Sequence, residues 1–192
     1  MKRICIFCAS SPRIPKHYID TAREVGTLMA RSGCTLVYGG GSIGLMGAVA
    51  DAMLRQGAPV IGVIPQFMVD VEWQHPGVED MRRTTTMAER KRMMIDLADA
   101  LLVLPGSIGT LDEMFQTLSE RKLGMLGKPV VLLNDGGFYD ATLEQLRRMV
   151  EENFMTQAHL DKLAVARTAD EALRLCLMGD TGTSTLREGA VN

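Results

Sequence analysis

Ten consecutive residues carry most of the chemical potential of this chain: Leu104-Pro105-Gly106-Ser107-Ile108-Gly109-Thr110-Leu111-Asp112-Glu113. The apolar run over residues 100–104 reads as a buried strand, and the periodic run over 111–123 reads as a helix. A Gly-rich turn between strand and helix aims backbone N–H groups and the positive end of the helix at an anion, for which phosphate is the natural guest. Gly106 and Gly109 lack a Cβ, so the chain there can take positive φ and approach a ligand closely. Glu113 places a carboxylate at the edge of the same cradle. A purely structural reading stays open at this point. Thr110-x-x-Glu113 is also a capping box, whose hydroxyl and carboxylate would satisfy the first N–H groups of the helix.

Arg90 is the second candidate. In a helix over residues 87–98, positions 87, 90, 91, 94 and 98 share a face, which sets Arg90 and Lys91 beside Met87, Met94 and Ala98. That face is expected to pack inward. A cation there either snorkels to water along its apolar stem or reaches into a pocket.

The elements that must position these residues alternate. Strands are expected over residues 3–7, 35–38, 59–64, 81–85, 100–104, 129–133 and 163–166, with helices over 18–31, from after Gly47 to about 55, 87–98, 111–124, 138–153 and 169–178. Residues 66–80 have no clear period and read as a long loop or broken helix. The alternation predicts an α/β fold, a doubly wound parallel sheet with helices on both faces, in one domain over 1–180 followed by a flexible tail over 181–192. Ligands in such sheets sit at the carboxyl ends of the strands. Three turns of small or hydroxyl residues, 8–12, 39–44 and 104–110, all follow strands and are expected to meet on that edge.

Composition narrows the classes further. The chain has 192 residues and a formal net charge of −2, so it offers no general attraction to nucleic acid. No apolar run reaches the ~20 residues of a membrane helix, and Met1-Lys2-Arg3 leads directly into a strand, so a cytoplasmic location is expected. The four cysteines are too few for a disulfide framework. Cys5-x-x-Cys8 would place its two thiols on opposite faces of a strand, so both read as small buried hydrophobes. No metal and no cofactor are expected. Gly39-x-Gly41-x-x-Gly44 matches the dinucleotide fingerprint formally, but no acidic residue ends the next strand, which reads Ile64-Pro65-Gln66. The turn is read instead as the wall of a smaller nucleotide pocket.

Met87-x-x-Arg90-Lys91 followed by Pro105-Gly106-x-x-Gly109-Thr110-x-x-Glu113 resembles the Lonely Guy (LOG) family, whose members were often labelled lysine decarboxylases. Phe7-Cys8-Ala9-Ser10-Ser11, Tyr38-Gly39-Gly40-Gly41, Gly44-Leu45-Met46-Gly47-Ala48 and the run from Val60 to Pro65 look like further family blocks, as do Lys128-Pro129 and residues 134–139. The resemblance covers roughly residues 3–155. It implies a Rossmann-like sheet, a homodimer with sites near the interface, and a cytokinin riboside 5′-monophosphate phosphoribohydrolase activity. The substrate would be an adenosine 5′-monophosphate, often N6-modified, cleaved to free base and ribose 5-phosphate. By position, the resemblance implies that Arg90 and Glu113 form the catalytic pair. It implies that Glu72, Lys91, Gly106, Ser107, Ile108, Gly109, Thr110 and Ser119 hold the substrate, with Ser10, Gly41 and Met46 completing the pocket.

Two positions depart from the family pattern. Ser107 stands where the second Gly of Pro-Gly-Gly is usual, and Ala9 where Gly is usual. If position 107 requires positive φ, Ser costs about 1 kcal/mol of strain; if not, its hydroxyl can donate to phosphate. A general AMP or pyrimidine monophosphate nucleosidase is the rival enzyme. The rival from another class is a non-catalytic carrier similar to molybdenum cofactor carrier proteins, which has no use for the Arg90 and Glu113 pair.

Overall fold

The structure is a computed structural model and describes residues 1–69 and 73–178. Seven strands form one parallel sheet: β1 (Arg3–Phe7), β2 (Thr35–Tyr38), β3 (Val60–Pro65), β4 (Asp80–Thr84), β5 (Ala100–Val103), β6 (Val130–Leu133) and β7 (Leu163–Ala166), in the order β4-β3-β2-β1-β5-β6-β7. The helices are α1 (Lys16–Arg31), α2 (Gly44–Leu54), α3 (Gln66–Val69), α4 (Met87–Leu97), α5 (Ile108–Lys122), α6 (Asp140–Glu151), α7 (Gln157–Leu160) and α8 (Ala169–Met178). This is the doubly wound α/β sheet the alternation calls for.

Its central strands are apolar throughout because both faces are covered. Ile4, Ile6 and Cys8 pack on one side with Val25, Met29 and Val49; Cys5 and Phe7 pack on the other with Met94 and Met114. The two thiols therefore do face opposite layers, and all four cysteines are buried and unpaired. Burial pushes the Cys5 and Cys8 thiols up, the negative Glu113 adding to the effect.

The chain starts in the middle of the sheet at β1, winds outward through β2, β3 and β4, then returns to β5 on the other side of β1. The order reverses between β1 and β5, and a crevice opens there at the carboxyl ends of the strands. The backbones meet at that point: Leu104 N–H donates to Phe7 O (2.9 Å) and Ala9 N–H to Pro105 O (3.2 Å).

Boundaries moved in two informative places. The unpatterned stretch after β3 opens with the single-turn helix α3, and Gln74 farther along forms an antiparallel bridge with Gly41. The helix after β5 begins at Ile108, three residues before the periodic run from Leu111, because Ser107 already occupies the N-cap position. No helix among the described residues is long and apolar enough to cross a membrane.

Candidate active site

The start of α5 resolves the Thr110 ambiguity. With Ser107 as N-cap, Thr110 lies inside the first turn and no side chain caps this helix. The capping-box reading of Thr110 and Glu113 is therefore corrected. A capping box does form at Thr86-x-x-Glu89, at the start of α4: Glu89 N–H donates to Thr86 Oγ1 (3.1 Å), and Glu89 Oε2 accepts from Thr86 N–H (3.3 Å) and Thr85 N–H (2.7 Å). The signature recurs along the chain, and it caps where the Thr stands at a true helix start, as at Thr86 and again at Thr168, whose Oγ1 accepts from Glu171 N–H (3.2 Å) ahead of α8. Glu113, freed from that task, points inward and is only 6% exposed.

Arg90 meets it there. Arg90 is 5% exposed, which rules out snorkelling. Its Nε donates to Val63 O (3.0 Å) and its Nη2 to Gly39 O (3.2 Å), while Nη1 lies 3.5 Å from Glu113 Oε1. The arginine thus ties α4 to the ends of β2 and β3 and turns its remaining edge to the carboxylate. Gly39 makes this possible, since a Cβ at that position would fall 1.9 Å from Arg90 Nη2. Burial pushes the Glu113 carboxyl up to about 7, against the pull of Arg90 and with a smaller push from the neighbouring Asp112. At neutral pH the group is divided between its two protonation states.

The pair lies on the floor of a cavity of about 530 Å³, inside the span of roughly 300–1,000 Å³ usual for small-molecule sites. All three small-residue turns line it, through Cys8 to Pro12, Gly39 with Gly41 to Ile43, and Ser107 with Gly109 and Thr110. Lys91 and Asp112 stand at the rim and pair at 2.8 Å. Met46, Ile64, Met68, Trp73 and Met87 supply an apolar wall. The β5 end of the site is braced from outside: Tyr139 OH donates to Leu104 O (2.7 Å), and Asn134 Oδ1 accepts from Tyr139 N–H (2.8 Å).

Of the residues singled out from sequence, Arg90, Lys91, Ser10, Gly41, Met46, Ser107, Gly109, Thr110 and Glu113 line this one cavity. Gly106 and Ile108 do not. Gly106 lies behind the wall, where a Cβ would come within 2.1 Å of Thr110 Oγ1. It is needed for close packing, and neither it nor Gly109 takes the positive φ expected of them. Ile108 is 84% exposed and turns away from the cavity. Ser107 has φ −95°, so the strain alternative at this position drops out. Ser119 borders a separate depression with Phe115 and Leu118 farther along α5. Glu72 and the tail lie outside the described residues.

Sequence reasoning missed Asp112, Met68 and Trp73 as parts of the site, and it placed Gly39 in the pocket wall without its role as the seat of Arg90. Trp73 had a signal, as the chain's single tryptophan inside a long loop.

The family model described as "Possible lysine decarboxylase" matches residues 46–176. The chain is 39% identical to cytokinin riboside 5′-monophosphate phosphoribohydrolase LOG1 of Arabidopsis thaliana, over 90% of its own length and 81% of the relative's. It is 36% identical to the cytokinin riboside 5′-monophosphate phosphoribohydrolase of Mycobacterium tuberculosis, over 90% and 92%. This chain belongs to the LOG family. Its fold is also that of the molybdenum cofactor binding protein of Rippkaea orientalis, with a TM-score of 0.70 over 93% of this chain and 97% of that one. At 19% identity that likeness concerns the fold alone. In a LOG protein, the Met87-x-x-Arg90-Lys91 and Gly106 to Glu113 segments are brought face to face because α4 and α5 flank the same strand, β5.

Proposed function

We propose that this LOG protein hydrolyses the N-glycosidic bond of a nucleoside 5′-monophosphate, releasing free base and ribose 5-phosphate. The observation that carries this reading is the buried Glu113 carboxyl, raised to about 7, facing Arg90 on the floor of a cavity whose wall is the N-terminus of α5.

The roles follow from the chemistry. The N-terminus of α5, with Ser107, Gly109 and Thr110, receives the 5′-phosphate. Held there, the ribose presents its anomeric carbon to Glu113. Breaking the bond builds positive charge on the sugar, and the ionised carboxylate stabilises it. Water adds its oxygen to that carbon, and the base leaves with the bonding electron pair. The proton lost by the water passes to Glu113 and on to the departing base; a carboxyl with a pKa of about 7 can both take and return a proton near neutrality. Arg90 keeps its proton throughout and acts as an electrostatic anchor. Lys91, at the rim, adds positive charge for the phosphate. The apolar wall of Met46, Met68 and Trp73 suits a base carrying an apolar N6 substituent.

The same reading includes a homodimer. Ile108, Phe115 and Ser119 lie along one stripe of α5 with Asp112, and Ile108 and Phe115 are exposed apolar side chains. Ser119 is about 16 Å along the helix from Ile108, too far to serve its own cavity, so its part in binding substrate requires a second copy. A reducing, cytoplasmic setting suits four buried, unpaired cysteines.

The test is a chromatographic assay with AMP and N6-isopentenyl-AMP, run beside Glu113→Gln. Free base from wild type, with a loss of about 10²–10⁴-fold in the variant and nucleotide still bound, is the expected result. Wild-type rates in the variant would overturn the mechanism. Binding without release of base from any monophosphate would favour a carrier.

A further inference from the structure

We propose that His75 is a positioning residue for this site: its ring braces residues 75–77 through Nδ1 and ties them to α2 through Nε2, while the backbone of the same segment is bonded to the turn after β2, and together these hold Trp73 against the cavity. The proposal rests on reading that cavity as the phosphoribohydrolase site.

His75 does not line the cavity, yet its side chain is engaged at both ends and it is only 7% exposed. Gly77 N–H donates to Nδ1 (3.1 Å), so Nδ1 carries no hydrogen and the ring's hydrogen is on Nε2. Nε2 faces Asp51 Oδ1 of α2 at 3.3 Å. The backbone adds three ties to the Gly turn. His75 N–H donates to Gly40 O (2.8 Å), Ser42 N–H donates to Trp73 O (3.2 Å), and Gly41 bridges Gln74. Trp73 N–H donates in turn to Met68 O (3.3 Å), so the two apolar wall residues are linked. Trp73 itself is 51% exposed and makes no hydrophobic core of its own, so its placement depends on these ties. Arg90 and Glu113 stand on α4 and α5, and Arg90 reaches this turn only at Gly39 O, a carbonyl that none of these ties uses. The geometry therefore separates a residue that shapes substrate binding from the pair that does the chemistry.

Trp73 is the only tryptophan, so its fluorescence reports this wall alone. In His75→Ala, Trp73 is expected to become more accessible to acrylamide, and KM for AMP to rise about five- to tenfold with kcat within about twofold. His75→Asn, which keeps an acceptor near Nδ1, and His75→Gln, which keeps a donor near Nε2, should each recover part of the loss. An unchanged KM in His75→Ala, whatever its melting temperature, would overturn the proposal, as would a fall in kcat as large as that in kcat/KM. If His75→Ala does not fold, Asp51→Ala decides by the same two readouts, since Asp51 is an exposed helix residue. Wild type that binds AMP but releases no base counts against the phosphoribohydrolase reading only. The dissociation constant for AMP, read from Trp73, then replaces KM, and the same rise is required.

Discussion

The Arg90 guanidinium stands 3.5 Å from the Glu113 carboxyl but is gripped by two backbone carbonyls, Val63 O and Gly39 O. A buried cation held by neutral acceptors keeps its place whether or not the carboxyl is ionised. Glu113 can therefore change its proton without unseating its partner, which is what a proton-handling group in this reaction requires.

The raised carboxyl has opposite consequences for activity and stability. Chemistry that starts from the carboxylate should lose kcat/KM about tenfold per pH unit below pH 7, and Glu113→Gln should lack that step. Stability runs the other way. The folded protein holds this proton more tightly than the unfolded chain, whose glutamate titrates near 4.5. The contribution is complete below pH 4.5, is lost as the pH rises to about 7, and stays lost above that. Glu113→Gln should melt several degrees above wild type at pH 8, a gain of the order of 3 kcal/mol, and the gap should close near pH 5. Calorimetry at the two pH values checks this; a gap of equal size at both would contradict it.

Gly39→Ala tests the seat of Arg90 without removing a functional group. A methyl 1.9 Å from Nη2 must push the guanidinium aside. Displacement of about 1 Å is enough for a loss on the order of 10²-fold in kcat/KM. Gly127→Ala is the control, because nothing lies within 4 Å of its Cβ position. Equal rates in the two variants would show that Arg90 has no bearing on turnover.

Ser107 offers a hydroxyl that no helix-capping bond engages, in an ordinary backbone conformation. Ser107→Gly should raise KM for AMP about fivefold and leave the binding of adenosine, which has no phosphate, unchanged. Its melting temperature should barely move, since glycine is tolerated at this position. Equal weakening for both ligands would take the hydroxyl away from the phosphate.

Phe115→Glu addresses assembly. Its side chain is 38% exposed on the same stripe as Ser119, so a monomer should tolerate the charge. A shift from dimer to monomer in sedimentation, accompanied by loss of turnover, is expected. Wild type that sediments as a fully active monomer would remove the partner from the site.

The alternation of elements, the two-faced burial of the strands and the convergence of three turns on one edge are all legible in the amino-acid order. Each of these depends on periods and turn residues that act over a few positions. Residue types and spacing also mark Arg90 and Glu113 as candidates. What they do there was a tertiary decision. Thr86 with Glu89 and Thr110 with Glu113 share one local pattern, and only the true start of each helix separates the capping pair from the pair in the site. Arg90 is satisfied by a carbonyl 51 positions away, and Gly39 by the space that arginine needs. Ser119 shares a helix with Glu113 but not a cavity. Such relations depend on which strands lie side by side, and the order in which the chain winds its sheet is set by packing over the whole domain.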